Sequence, residues 1–299
     1  MIKISNLTKK FDEFTAVDNV SIEVNNSSVY GLVGYNGAGK TTMLKLIAGV
    51  YTPDSGTIEI DGTDLLFHPE KKQELFYVPD DLYFGLSASM KSMAKFYSSY
   101  YPSFCIDTFY KLSDLFGLNV NKKIAGFSKG MQRQAEIVLG LSTMPKILLL
   151  DESFDGLDPA KRNLTKKLLL DYMAEKECSI IISSHNLHEL ADMCDHIALM
   201  NGQKIAINCA VDDMNGSRCK FRLVYTENVD RNIFKGIDYK NYKSDGKIVS
   251  FTVSKNIAEA EKIIGFTGPV LAEKFPLSLE EIFLEEMEDT DYDFEKLFS

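Results

Sequence analysis

Residues 34–41 read GYNGAGKT and match the phosphate-loop pattern G-x-x-x-x-G-K-[ST]. The glycines of such a loop let successive backbone N–H groups point at phosphate oxygens, and the N-terminus of the next helix adds partial positive charge. The lysine of the pattern reaches the β- and γ-phosphates, and the hydroxyl after it ligates Mg²⁺. A glycine-rich turn with an incidental lysine is the alternative. The pattern predicts these nucleotide-binding residues: Gly34, Asn36, Gly37, Gly39, Lys40, Thr41 and Thr42.

The flanking sequence supplies the context that a phosphate loop requires. Residues 29–33, VYGLV, form a short apolar run typical of a buried strand. Residues 42–50 place apolar side chains at helical spacing. Strand, glycine loop and helix therefore follow one another, which favours phosphate binding over an incidental turn.

A second apolar run ends in two acids. Residues 147–150, ILLL, suit a parallel strand buried on both faces, and Asp151 and Glu152 follow directly. Ligands of open α/β sheets bind at the carboxyl ends of parallel strands. Asp151 is therefore predicted to share Mg²⁺ with Thr41, and Glu152 to polarise the attacking water. Acids that merely begin a solvent-exposed loop are the alternative.

The order of patterns predicts a mixed architecture. Residues 1–60 read as strands around the glycine loop, residues 85–141 as a helical insert, and residues 147–183 as strand, helix, strand of a parallel α/β sheet. The sequence divides into a domain at 1–210 and an accessory domain at 211–299, whose core at 218–275 is predicted to be small and α+β. The acidic C-terminal stretch contains apolar positions that allow one amphipathic helix over 279–287.

Composition excludes several classes. The formal net charge is -10 and the isoelectric point about 5.0, which disfavours a general nucleic-acid binder. No stretch approaches the roughly 18 apolar residues of a membrane span, and the N-terminus lacks the features of a secretory signal. Five scattered cysteines fit a reducing compartment. A cytoplasmic protein is expected.

Further motifs carry a family resemblance. Residues 127–133 read FSKGMQR, residues 156–158 read GLD, and His185 follows two serines. With the phosphate loop and the acidic strand end, they stand in the order and spacing of the nucleotide-binding subunits of ATP-binding-cassette (ABC) transporters, which residues 1–210 resemble. The resemblance implies a P-loop NTPase core of the RecA-like type, with an antiparallel β subdomain and the helical insert.

The resemblance also implies roles for particular residues. Ser128 and Gly130 of the signature segment would contact the γ-phosphate of ATP bound to the opposite subunit, and Asp158 belongs to the D-loop. His185 would contact the γ-phosphate and join Glu152 and Lys40 as the catalytic set. A serine before a helix is otherwise an N-cap, and a lone histidine after a strand is otherwise structural.

Two further positions matter for the nucleotide and the metal. Phe11 stands where the family places an aromatic that stacks on adenine, although an aromatic near a strand end could be ordinary core. Residues 77–80, YVPD, occupy the Q-loop position, so Asp80 replaces the usual glutamine and is expected to bind Mg²⁺ through water, beside Thr41 and Asp151. Lys129 and Met131 also depart from the usual signature and resemble exporter-type cassettes that pair with separately encoded permeases.

The function implied is ATP hydrolysis coupled to transport, with ATP and Mg²⁺ as cofactors. The partners implied are an integral-membrane permease and a second cassette, in a homodimer or a heterodimer, with no nucleic acid. The chain would be peripheral on the cytoplasmic face of the membrane through that permease. A soluble ABC ATPase with a regulatory or immunity role is the alternative.

Overall fold

The computed structural model describes residues 1–214, 218–277 and 281–282. The chain divides into two compact units, Met1–Asn208 (unit 1) and Cys209–Ser299 (unit 2). Each unit has its own hydrophobic core.

Unit 1 contains both a parallel and an antiparallel sheet. Its strands, the last of which runs into unit 2, are β1 (Ile2–Phe11), β2 (Phe14–Val24), β3 (Val29–Val33), β4 (Ser55–Ile60), β5 (Thr63–Asp64), β6 (Leu75–Val78), β7 (Ile147–Asp151), β8 (Ser179–Ser184), β9 (His196–Asn201) and β10 (Lys204–Ala210). Its helices are α1 (Lys40–Ile47), α2 (Met90–Tyr100), α3 (Ile106–Phe116), α4 (Lys129–Ser142), α5 (Pro159–Lys176) and α6 (Leu187–Ala191).

The six-stranded sheet positions the site. Its order is β10-β9-β3-β8-β7-β6, and β3, β6, β7, β8 and β9 pair in parallel. Every residue of β3, β7 and β8 is buried, and each strand contains a run of consecutive apolar residues, as buried parallel strands do. Val33 pairs with Ser184, and Asp151 pairs with Ser183, so the carboxyl ends of three strands meet at one edge.

The antiparallel sheet, of order β2-β1-β4-β5, closes the same core. Alternate residues of β1 and β2 are buried with the apolar face of α1, which contributes Met43, Leu44 and Ile47. Because α1 is held in this core, the loop before it has a fixed position. Helices α2, α3 and α4 form the helical insert between β6 and β7.

Unit 2 is a small α+β arrangement. A short helix, α7 (Val211–Met214), precedes a four-stranded antiparallel sheet of order β12-β13-β11-β14. The remaining elements of unit 2 are β11 (Cys219–Val224), β12 (Tyr239–Asp245), β13 (Ile248–Val253), α8 (Ile257–Thr267) and β14 (Leu271–Pro276). One sheet face buries Phe221, Phe251 and other apolar side chains against Ala260 and Ile264 of α8.

The predicted α/β fold class is confirmed, with its parallel core, antiparallel subdomain and helical insert. Within the described ranges, no helix has the length and apolar content needed to cross a bilayer. The amphipathic helix predicted over 279–287 lies outside the described residues, apart from 281–282.

Candidate active site

The glycine loop lies between the end of β3 and the start of α1. Gly39 has φ 104°, a left-handed conformation, and a Cβ there would collide with the carbonyl oxygen of Ala16. A Cβ at Gly34 would lie 2.7 Å from the carbonyl oxygen of Met200. Gly39 is also the N-cap of α1 and supplies no side-chain cap, so the first N–H groups of α1 are not capped by a side chain. These N–H groups can donate to an anion.

Lys40 connects this loop to the acidic strand end. Its side chain is buried, and its ammonium donates to the carbonyl oxygens of Gly34 at 2.7 Å and Tyr35 at 3.2 Å. The same nitrogen lies 3.1 Å from Oε1 of Glu152. The buried ammonium therefore lies between the glycine loop and the Glu152 carboxylate. From there it can also donate a hydrogen bond to phosphate oxygens.

Asp151 ends β7 and is fully buried. Its Oδ1 accepts hydrogen bonds from the hydroxyl of Ser183 at 2.6 Å and from the hydroxyl of Thr41 at 3.1 Å. Its Oδ2 accepts from the Tyr77 hydroxyl at 3.0 Å. The Thr41 hydroxyl and the Asp151 carboxylate thus form a pair of adjacent oxygen donors, which is the ligand type that Mg²⁺ prefers.

Glu152 follows Asp151 with φ 44°, an unusual conformation for a residue with a side chain. Its backbone N–H donates to the Ser183 hydroxyl at 3.1 Å. Its Oε2 accepts from the backbone N–H of His185 at 3.2 Å and lies 3.0 Å from Nδ1 of the same residue. Backbone strain of this kind is concentrated at functional sites, where the surroundings hold the side chain in one direction.

His185 itself is half-exposed, in contrast to the buried Lys40 and Glu152. The structure therefore brings together the three residues that the sequence predicts to be catalytic. A carboxylate oxygen of Asp155 also lies within 4.8 Å of the nearest ligand atoms of Glu152 and His185.

Ser128, Gly130 and Asp158 lie at the N-termini of two helices. Ser128 caps α4 by accepting from the Met131 N–H at 3.3 Å, and Asp158 caps α5 by accepting from the Lys161 N–H at 3.0 Å. A Cβ at Gly130 would lie 2.8 Å from the carbonyl oxygen of Gly156, so the signature segment contacts the D-loop of its own chain. These contacts are separate from those of Lys40 and Glu152.

Phe11 ends β1 and is partly exposed rather than in the core. Its ring meets that of Tyr51 edge-on, with centroids 5.2 Å apart, and the ammonium of Lys9 lies 5.4 Å from its centroid. An accessible ring face is what stacking on a base requires.

Asp80 follows β6, and its carboxylate pairs with a cation. Its Oδ1 lies 3.2 Å from a guanidinium nitrogen of Arg133 on α4. Burial raises the pKa of Asp80, an effect that Arg133 opposes and the nearby Asp151 reinforces. The expectation that Asp80 also serves Mg²⁺ stays a prediction.

Sequence reasoning missed two of these partners. Tyr77 and Arg133 lie within the segments 77–80 and 127–133, but a sequence motif does not show which side chains meet across strands and helices. Tyr77 lies on β6, which pairs with β7. This strand order would have suggested the contact of Tyr77 with Asp151.

A strand, a glycine loop with a buried lysine, a helix, and acids at the end of a neighbouring parallel strand define a P-loop nucleoside triphosphatase. The sequence profile of the ABC transporter family matches residues 17–155. An uncharacterised ABC transporter ATP-binding protein of Methanocaldococcus jannaschii is 30% identical, over 95% of this chain and 98% of that protein. The chain therefore belongs to the ATP-binding proteins of ABC transporters, which confirms the resemblance and the assignment as an ATPase.

Other known proteins are similar to this chain. The ABC transporter ATP-binding protein YtrB of Bacillus subtilis is 28% identical, over 95% of this chain and 97% of YtrB. The bacitracin transport ATP-binding protein BcrA of Bacillus licheniformis is 32% identical, over 74% of this chain and 73% of BcrA. Two solved structures share the fold. One, an ATP-binding subunit of an ABC transporter, has a TM-score of 0.67 at 24% identity, over 72% of this chain and 92% of that one. The other, a dimeric bacterial cassette, has a TM-score of 0.65 at 19% identity, over 71% of this chain and 99% of that one.

Proposed function

We propose that this chain dimerises around two molecules of Mg-ATP, hydrolyses them, and thereby drives a separate integral-membrane permease. The observation that carries the proposal is the cluster of Lys40, Glu152 and His185 beside the Thr41–Asp151 pair. The alternative, a cassette with a regulatory or immunity role, has no contact in the described residues that favours it.

Binding would begin at the glycine loop. The uncapped N–H groups at the start of α1 would donate to phosphate oxygens, and the Lys40 ammonium would add a charge-assisted bond. Phe11 would offer its ring to adenine. The Thr41 hydroxyl and the Asp151 carboxylate would hold Mg²⁺, which supplies charge neutralisation on the β- and γ-phosphates.

Glu152 would act on the attacking water. Its carboxylate would accept a proton as the water oxygen bonds to the γ-phosphorus and the bond from that phosphorus to the ADP oxygen breaks. The products are ADP and inorganic phosphate. His185, 3.0 Å from Oε2 of Glu152, would orient the same water and contact the γ-phosphate.

The second half of each site would come from the partner cassette. Ser128, Gly130 and Asp158 lie at helix N-termini, where a hydroxyl and backbone N–H groups can donate to an anion. The dimeric cassette among the structural neighbours supports an arrangement of two subunits. ATP would then favour the closed dimer because its contacts with both chains exist only in that state.

Lys40→Ala tests nucleotide binding. ATP affinity measured by equilibrium dialysis should fall at least about tenfold, since a hydrogen bond to a charged group contributes about 1.5–3 kcal/mol. Lys111→Ala, an exposed lysine on α3, is the matched control and should bind ATP as the wild type does. An unchanged titration for Lys40→Ala would refute the phosphate-loop assignment.

The permease is proposed because the relatives of this chain are named as transport ATP-binding proteins. The tagged full chain, purified from solubilised membranes of its own source, should bring down an integral-membrane protein. If the chain is recovered without any membrane protein in each of several detergents, the result would favour the regulatory alternative.

A further inference from the structure

Residues 77–80, which comprise the end of β6 and the two residues after it, are held at two points. At residue 77, the Tyr hydroxyl donates to Oδ2 of Asp151 at 3.0 Å. At residues 79–80, the guanidinium of Arg133 donates to the carbonyl oxygens of Pro79 and of Asp80, the latter at 2.6 Å, and pairs with the Asp80 carboxylate at 3.2 Å. Both anchors lie within four residues of chain.

The Tyr77 contact completes the hydrogen bonding of Asp151. Oδ1 of Asp151 already accepts from Ser183 and Thr41, so the tyrosine is the partner that the structure gives to Oδ2. A hydroxyl that binds one oxygen of a carboxylate restricts rotation of that carboxylate.

The Arg133 contact ties the same segment to the signature helix. Arg133 is buried and lies on α4, one turn beyond Lys129 and Gly130. Its planar fork donates to two successive backbone carbonyls, a geometry that a lysine cannot reproduce. Residues 79–80 therefore cannot shift without moving α4 or breaking these bonds.

We propose that Tyr77 and Arg133 are positioning residues that fix the Asp151 carboxylate for the metal and connect it to the signature helix of the same chain. This inference rests on the proposed function, because Asp151 matters only if it holds Mg²⁺. Tyr77 sets the orientation of the carboxylate, and Arg133 sets the position of the segment that carries Tyr77. A change at the metal–nucleotide site of one chain is thereby linked to Ser128 and Gly130 of that chain, which serve the site of its partner.

The test measures how much Mg²⁺ strengthens nucleotide binding. The dissociation constant of AMPPNP is measured on the full chain in excess Mg²⁺ and in EDTA, and their ratio is the magnesium enhancement. Tyr77→Phe should leave the EDTA value unchanged and lower the enhancement roughly tenfold, as for other hydrogen-bond partners of metal-ligating carboxylates. Tyr172→Phe is the control, since it removes a hydroxyl that binds the Pro145 carbonyl away from the site. An unchanged enhancement in Tyr77→Phe overturns the proposal.

Arg133→Lys tests the second anchor. It keeps the charge but loses the fork, so the enhancement should fall even though Arg133 is not a metal ligand. The double variant Tyr77→Phe/Arg133→Lys should fall little further than the worse single variant, whereas independent effects would multiply. The link to α4 is overturned if the losses of enhancement multiply in the double variant, or if Arg133→Lys does not change the enhancement. Arg133→Gln, a shorter side chain that keeps an N–H donor but loses the fork, replaces it if the lysine variant does not fold.

Measurements on the wild type distinguish an error in the proposed metal site from an error in the positioning role of Tyr77. If it binds AMPPNP equally with and without Mg²⁺, the proposed metal site is wrong before any variant is considered. If it shows an enhancement that Tyr77→Phe retains, the proposed function stands and the positioning role is wrong.

Discussion

Glu136 on α4 is a buried carboxyl that the proposed mechanism does not use. Its Oε1 accepts from the Tyr97 hydroxyl at 3.1 Å, and its Oε2 is buried without a hydrogen-bond partner in the structure. Burial raises the pKa of Glu136 to about 7, although Tyr97 and Arg133 oppose the shift. A neutral carboxyl therefore suits this place in the helical insert better than a carboxylate.

The raised pKa gives stability a pH dependence with a definite sign. The proton on Glu136 contributes stability that is fully present below the ordinary pKa of 4.5 and is lost as the pH rises through about 7. Glu136→Gln should therefore become more stable than the wild type as the pH rises, by about 3 kcal/mol across this range. Urea unfolding at several pH values measures the difference. Glu23→Gln, exposed on β2, is the control, and a difference that does not change with pH would contradict the assignment.

The strand, loop and helix around the phosphate site contain two positions whose backbone conformation favours glycine. Gly39 and Gly37 both have positive φ, 104° and 86°, but only Gly39 is closely approached, by the carbonyl of Ala16. Adding a Cβ at Gly37 therefore tests the cost of the positive φ alone, whereas adding one at Gly39 tests that cost together with a steric collision.

Gly39→Ala should be the more damaging of the two changes. Gly37→Ala should cost about 1 kcal/mol of stability from its conformation alone, whereas Gly39→Ala adds a backbone collision and should cost at least about 3 kcal/mol. Chemical denaturation of the two variants measures this. Equal losses of stability in the two variants would contradict this prediction, because they would show that the backbone at Ala16 moves away from the new Cβ without a loss of stability.

Periodicity predicted most elements because their burial is simple. The buried runs of β7 and β8 and the alternation of β11 and β13 follow directly from one or two covered faces. Strand β12 lacks such a regular pattern, because Asn241 at φ 54° interrupts its pairing with β13 and breaks the alternation.

The site was predictable to the extent that it lies in short motifs. Lys40 and Glu152 follow from the loop and from the strand end, and the structure brings them together. The contacts of Tyr77 and Arg133 depend on which strands and helices are neighbours, and a single sequence does not contain that information. Asp80 shows the difference most clearly, because its place in the Q-loop was evident and its pairing with Arg133 was not.

At the scale of the whole molecule, all the proposed nucleotide-binding residues lie in unit 1. The helix N-termini with Ser128 and Asp158 make contacts separate from the Lys40–Glu152 cluster. The central claim is the proposal that a second chain completes the site. One chain would supply the loop and the catalytic acid, its partner would supply the signature segment, and ATP would hold the two together.

The measurement that tests this claim most directly is the mass of Glu152→Gln in solution, by sedimentation equilibrium, with and without Mg-ATP. The variant should keep ATP binding and lose nearly all hydrolysis, because the amide cannot take the proton from water. With the γ-phosphate retained, its mass should double when Mg-ATP is added and return to that of one chain when the nucleotide is removed. A Glu152→Gln protein that binds Mg-ATP and remains at the mass of a single chain would contradict a homodimer built around two composite sites, and hydrolysis at the wild-type rate would contradict the role of Glu152.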